Sequence, residues 1–280
     1  MTRGALIFAQ NNSDIDYVQI AIFSAKQVKK HLKIPVTLVT ENREYFLATY
    51  PEDLSLFDNI IDVNSELSQK KQFNDGSLTS KMLYWKNFSR SDCYNISPYD
   101  ETIVIDADFI INSDILSRVW NAPTDFAIYK TSYDLARWRD SKAFKYINQT
   151  SAPFYWATVF YFRKSEITNA FFTLVQHIRQ NWQYYKSLYS IDSETFRNDF
   201  AFSIAIHIFN GGTDGVFATP LPGKLYYTMD KDVLVSVKDN SMKFLVEKQQ
   251  VHGDYTLLTT SNLDVHVMNK YSLARFINEQ

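Results

Sequence analysis

The sequence predicts an α/β fold whose central sheet is mostly parallel and flanked by helices, with a small antiparallel part near the C-terminus. Three observations predict it. Short apolar runs alternate with amphipathic helical stretches, and such alternation implies crossover connections between parallel strands. The most β-branched run, Thr102-Ile103-Val104-Ile105, stops at Asp106-Ala107-Asp108, and parallel sheets gather ligands beyond the carboxyl ends of their strands. Residues 225–266 alternate apolar and polar side chains in short stretches, the pattern of antiparallel strands with one wet face.

In chain order, Ala5 to Ala9 is an apolar run of buried-strand length that breaks into Gln10-Asn11-Asn12-Ser13. Residues 16–32 place Val18, Ala21, Ile22, Ala25, Val28 and Leu32 at helical spacing, with Lys26, Lys29 and Lys30 outward. Pro35 ends that helix, and 36–39 reads as a second strand. Residues 42–50 suit a short helix and 59–63 a third strand. Residues 78–88 read as a helix, 101–105 as the strand already named and 109–112 as another. Residues 129–155 are polar and aromatic without a clear period, so they read as an insertion over the sheet, and 160–162 return to strand. Amphipathic helices follow at 167–184 and 199–209, then the sharp loop Asn210-Gly211-Gly212-Thr213-Asp214-Gly215. A terminal helix closes the chain after the antiparallel strands. No repeat, linker or low-complexity tract divides residues 1–280, which predicts one domain.

Composition excludes several classes of function. With 29 basic and 31 acidic residues the formal charge is −2, which argues against nucleic-acid binding by bulk electrostatics. Hydrophobic residues make up 45% and charged residues 21%, ordinary globular usage that excludes disorder. Cys93 stands alone, so no internal disulfide forms and a reducing compartment is the simplest one. The first apolar run is too short for a signal peptide and no segment has the length of a membrane span, so a cytoplasmic location is expected. The 18 Tyr and 21 Phe supply core and can also line a sugar or base site.

Asp106 and Asp108, at a strand end with a small residue between them, suit a hard divalent cation. Such an ion takes oxygen ligands and completes its shell with substrate phosphates, so two carboxylates can clamp a diphosphate without an all-protein cage. A solvated turn is the bland alternative, since Asp-x-Asp recurs by chance.

Taken with Ser80-Lys81-Met82-Leu83-Tyr84-Trp85 upstream, the stretch Thr102-Ile103-Val104-Ile105-Asp106-Ala107-Asp108-Phe109-Ile110 resembles the GT-A glycosyltransferases. The glycogenin-like, retaining group and its small bacterial or phage-type members are the nearest in outline. The opening Ala9-Gln10-Asn11-Asn12-Ser13-Asp14-Ile15-Asp16-Tyr17-Val18 is similar to that family's nucleotide-binding start. The resemblance implies a GT-A fold with a nucleotide-binding half at 1–112 and an acceptor-binding half at 113–280. It implies metal-dependent transfer of a hexosyl or pentosyl group from a nucleotide-diphosphate sugar, with UDP the first choice. It further implies that Tyr17 stacks on the base, that Ala9 and Asn11 lie near the uridine, and that Lys81 approaches the diphosphate or the sugar. Asp199, in Arg197-Asn198-Asp199-Phe200, would face the sugar; helix capping is its structural alternative. Asp264-Val265-His266-Val267-Met268-Asn269-Lys270 resembles the segment whose histidine is the third metal ligand, with Lys270 on the phosphates. An imidazole favours Mn²⁺ over Mg²⁺.

The chain departs from the family at Ala157-Thr158, where an Asn-Ser-Gly turn is usual, and in lacking glycines after His266. His252-Gly253-Asp254 is a competing metal candidate, while His31, His177 and His207 read as structural and Cys93 has no base beside it. Residues 129–156 carry Lys130, Arg137, Arg139, Lys142 and Lys145 among aromatic side chains. A hydroxymethylated base in DNA, gripped there, is therefore one candidate acceptor. Two rival classes stay open. A nucleotidyltransferase shares sheet and metal but wants a glycine-rich basic loop where Gln10-Asn11-Asn12-Ser13-Asp14 stands, and a noncatalytic module would bind donor without turnover.

Overall fold

The computed structural model describes residues 1–64, 68–86, 88–139, 144–148, 152–248 and 252–280. The first half runs β1 (Arg3–Ala9), α1 (Tyr17–His31), β2 (Val36–Thr40), α2 (Arg43–Thr49), β3 (Asn59–Asp62), β4 (Gln69–Asp75), β5 (Thr79–Trp85), α3 (Cys93–Ile96), β6 (Glu101–Asp106), β7 (Phe109–Ile110), β8 (Phe126–Tyr129) and β9 (Ser132–Asp134). The second runs β10 (Trp156–Arg163), α4 (Glu166–Gln180), α5 (Trp182–Leu188), α6 (Asn198–Phe209), β11 (Leu225–Tyr227), β12 (Val233–Lys238), β13 (Ser241–Glu247), β14 (Tyr255–Ser261), β15 (Val265–His266) and α7 (Lys270–Asn278).

A six-stranded sheet in the order β3-β2-β1-β6-β10-β8 forms the centre, and the fold class is the mixed α/β arrangement expected from the sequence. β3, β2, β1 and β6 are parallel neighbours, whereas β10 runs antiparallel to both β6 and β8. β2 is buried along its whole length and β1 and β6 almost so, as strands covered on both faces must be. α1 starts where the Asp16 carboxylate accepts from the Gln19 N–H at 3.1 Å and stops short of Pro35. Gly4 is required by close packing: a Cβ there would lie 2.3 Å from the Tyr99 ring, whose hydroxyl is 2.8 Å from Thr37 Oγ1.

A second sheet, β7-β15-β11-β9, matters most for the site. β15 pairs antiparallel with β7, placing His266 opposite Phe109, and the Val267 N–H donates to the Asp108 carbonyl at 3.0 Å. The ladder thus carries a histidine from the end of the chain to the aspartate turn. β12, β13 and β14 form the antiparallel part. Much of the phenylalanine is core: Phe126, Phe160, Phe171, Phe172, Phe202 and Phe217 pack with centroids 4.6–6.4 Å apart.

Two expectations are corrected. Residues 78–88 do not form a helix, since 79–85 are β5, paired antiparallel with β4 around Gly76 at φ 72°. Leu78 and Met82 face solvent, and the turn at Gly76 decides the structure. The helix read over 167–184 breaks at Asn181 into α4 and α5. Among the described residues no helix is long and apolar enough to cross a membrane.

Candidate functional site

Beyond the carboxyl ends of β1 and β6 lies a cleft of about 860 Å³, its open mouth included. Phe8 and Gln10 line it from the end of β1, Tyr17 from α1, and Asp106, Ala107 and Asp108 from the end of β6. The β4–β5 hairpin adds Lys71, Trp85 and Lys86. Arg90 comes from the turn before α3, Thr158 from β10, Arg197, Asn198 and Asp199 from the start of α6, and His266 and Lys270 from the C-terminal segment.

Ligand atoms of Asp106, Asp108 and His266 all lie within 4.8 Å of one another. The Lys270 ammonium contacts Asp108 Oδ2, and His266 Nε2 stands 3.5 Å from that same oxygen. Burial opposes ionisation of Asp108, but Lys270 and His266 outweigh it and hold the carboxyl well below the usual carboxylate range. Burial pushes His266 the other way, toward the neutral imidazole a metal needs, against the pull of Asp108. Asp106 pairs with the guanidinium of Arg90, which also donates to the Ala157 carbonyl at 2.9 Å.

Asp199 enters the cleft through a break in the sheet. The β10–β8 register shifts between Trp156 and Phe160, and such irregularities release backbone groups near active sites. Asp199 Oδ1 accepts the Ala157 N–H at 2.9 Å, while Oδ2 accepts from Arg197 Nε at 3.0 Å and Nη2 at 2.7 Å. It does not cap α6, whose N-cap is Arg197 without a side-chain cap bond. The Tyr17 hydroxyl is buried and without a hydrogen-bond partner among the described residues.

The structure therefore brings Tyr17, Asp106, Asp108, Asp199, His266 and Lys270 to one cleft and leaves Ala9, Asn11 and Lys81 off its wall. Ala9 is buried at the end of β1. Asn11 Oδ1 accepts the Val18 N–H at 3.0 Å, which ties the loop to α1. Lys81 is on a strand and pairs with Asp14 at 2.6 Å on an exposed surface. Lys81→Ala is accordingly expected to change nucleoside-diphosphate affinity less than about twofold, as exposed pairs count for little; a tenfold loss by calorimetry would restore the donor role implied by resemblance. Lys71 and Arg90 are cleft cations that sequence reasoning missed.

The competing candidates separate. His252 is exposed, 3.5 Å from Glu247, and Asp254 pairs with Lys248. His207 Nδ1 is 2.9 Å from the Tyr189 hydroxyl and His177 Nδ1 is 3.3 Å from Asn181, whereas His31 Nε2 is buried. Cys93 is buried, which pushes its thiol up and away from nucleophilic use. In 129–156, Lys130 pairs with Asp214 on the surface and Arg139 lies largely buried between Asp134 and Asp232. Tyr155 and Trp156 are core. Arg139 is thus turned inward and Lys130 sits in an exposed ion pair, while Arg137, Trp138, Lys145 and Tyr146 are exposed; Lys142 lies outside the described residues.

No family model matches the chain, and no curated protein does. Solved structures are similar in fold. Glycosyltransferase GlyE of Streptococcus pneumoniae shares 13% identity at a TM-score of 0.43, over 79% of this chain and 45% of that one. Galactosyltransferase LgtC, solved with donor and acceptor sugar analogs, shares 15% at 0.45, over 78% and 72%. A putative glucose-1-phosphate thymidylyltransferase of Bacillus anthracis shares 11% at 0.44, over 81% and 87%. This chain thus spans less than half of GlyE. Such likeness reaches no further than a shared α/β arrangement, found in glycosyl- and nucleotidyltransferases alike, so the functional reading rests on the cleft.

Proposed function

We propose that the protein is a metal-dependent glycosyltransferase of GT-A type that uses a nucleotide-diphosphate sugar, UDP first among the nucleotides. The observation that carries this reading is the Asp106–Asp108–His266 group, set with Arg90 and Lys270 in one cleft at the sheet's carboxyl edge. Ligands at about 2.1 Å from one ion stand no more than about 4.2 Å apart, and these three donors lie within 4.8 Å, so small side-chain shifts suffice. Two carboxylates and one imidazole suit Mn²⁺, with Mg²⁺ second. The ion would neutralise charge on the departing nucleoside diphosphate.

The chain's own residues do the rest. Arg90 and Lys270 now rest on Asp106 and Asp108; a divalent ion between those carboxylates would turn both cations toward a second anion, the diphosphate. Tyr17 offers its ring to the base and Asp199, fixed by Ala157 and Arg197, orients the sugar. Among the described residues lining the cleft, two of three carboxylates belong to the metal group, and the third, Asp199, is held by Arg197 and the Ala157 N–H, which lowers its fitness as a base toward an acceptor. That supports retention over inversion. Nucleotidyl transfer is disfavoured because Asn12 Oδ1 already accepts the N–H groups of Asp14 and Ile15, closing a loop that would otherwise cradle phosphates. A hydroxymethylated base in DNA stays a candidate acceptor, since Arg137, Trp138, Lys145 and Tyr146 of the basic-aromatic segment are exposed.

The test is release of nucleoside diphosphate from a panel of UDP-, GDP- and ADP-sugars with Mn²⁺, with and without chelator. Metal-dependent release from at least one donor is expected, falling more than about 100-fold with chelator. Binding without turnover would instead indicate a noncatalytic module, and release indifferent to chelator would defeat the metal reading.

A further inference from the structure

Lys71 is the cleft cation the proposed chemistry leaves unused. It lies on β4, half-buried, with its ammonium 4.7 Å from the centroid of the Trp85 ring, and among the described residues it makes no ion pair. The hairpin that carries it is tied down at both ends. Gln69 exchanges hydrogen bonds with the backbone of Phe196 at 2.6 and 2.9 Å, and Asp75 takes two from Arg275 at 2.6 and 2.8 Å. Lys71 is therefore held in the cleft by a framework and not by a free loop.

Charge accounting then singles it out. The diphosphate of a nucleotide sugar carries two negative charges, and with Asp106 and Asp108 these make four. A divalent ion, Arg90 and Lys270 balance them. Arg197 is matched by Asp199, and Lys86 by Glu41 at 2.8 Å. Among the described cleft cations Lys71 alone has no ion-pair partner of its own, and its cationic neighbours make that costly. Burial first, then Lys270 and Arg197, lower its pKa to about 8.

Resting on the transferase reading, we propose that Lys71 and Trp85 form a subsite for an anionic group, carboxylate or phosphate, carried by the transferred sugar or by the acceptor. The ammonium meets the charge while the indole covers an apolar sugar face. The reacting partners then bring one more negative charge than the donor diphosphate supplies.

Calorimetry with Mn²⁺ tests this in two arms. The donor arm compares UDP-glucuronate with UDP-glucose; the acceptor arm compares glucose 6-phosphate with glucose in the presence of UDP. In one arm the parent protein is expected to favour the anionic probe by about tenfold, the yield of a partly buried charge-assisted hydrogen bond. Lys71→Met, which keeps an unbranched side chain of similar length without the charge, should bring that ratio to about one while UDP affinity falls less than about threefold. Lys71→Arg should retain the preference, which a merely structural lysine would not require. Equal probes in both arms overturn the inference and leave the transferase reading intact. A loss of UDP affinity in Lys71→Met as large as the loss of preference also overturns it, since Lys71 would then belong to the diphosphate. Absence of any UDP binding with Mn²⁺ takes down the uridine-donor reading and this inference together.

Discussion

Asp108→Asn is expected to abolish metal-dependent donor binding, with the affinity gain that Mn²⁺ confers on UDP reduced more than about 100-fold. Outer-shell partners of a metal already cost 10–100-fold when removed, and Asp108 is an inner ligand in the proposed site. Its carboxylate also faces both His266 and Lys270, so one substitution disturbs the whole group. The amide is nearly isosteric and should leave the backbone bond from Val267 in place.

The measurement that separates a metal role from simple damage is UDP binding in chelator. There the variant should bind UDP as weakly as the parent, or slightly more tightly, because a negative charge beside the diphosphate has gone and Lys270 is released. A collapsed site would instead lose affinity with and without Mn²⁺. If Asp108→Asn kept the full manganese effect, neither this aspartate nor the proposed centre could stand.

The sheet and the aspartate turn were legible because their signals are local. A β-branched run as short as Thr102 to Ile105 is favoured as a buried strand, and Asp106 and Asp108 inherit their position from it. Asp199 was legible as a residue but not as a geometry, since nothing nearby in sequence announces that β10 slips its register and leaves the Ala157 N–H to be met. The hairpin was misread because Leu78, Met82 and Trp85 recur at helical intervals, although Leu78 and Met82 are exposed on its outer side. The better signal was Gly76, which opens the three-residue connection between two seven-residue strands. Arg90 and Lys71 gave no local sign, because a cation in a polar stretch normally sits on the surface. Only tertiary packing turns these two inward. In the segment 129–156 one residue went the opposite way: Arg139 counted as a surface charge and is a largely buried tie.

That tie predicts the largest loss of stability. Arg139 donates from Nε and Nη2 to Asp134 at 2.8 and 2.6 Å, and from Nη1 and Nη2 to Asp232 at 2.7 and 2.6 Å. The three side chains are 10%, 5% and 0% exposed. Asp232 in turn accepts the N–H groups of Met229 and Glu247 at 2.8 and 3.0 Å, so the guanidinium joins β9 to the base of the antiparallel sheet. Arg139→Leu leaves two buried carboxylates facing each other, and breaking a buried pair costs about 3–5 kcal/mol. For a chain of this size that lowers Tm by roughly 5–9 °C. Lysine is not expected to rescue it, since a point charge cannot serve two carboxylates side by side. The sign of the pH effect follows from the same geometry. Burial already pushes Asp134 up against the pull of Arg139; without the arginine its carboxyl holds a proton in the folded state to a still higher pH than in the unfolded one. The variant's stability should therefore be greatest in mild acid and fall as pH rises toward 8, narrowing its deficit relative to the parent at about pH 5. Thermal melts of both proteins at pH 5 and 8 check this, and a Tm difference under about 2 °C at pH 8 would show that Arg139 is solvated in solution and free to meet an acceptor after all.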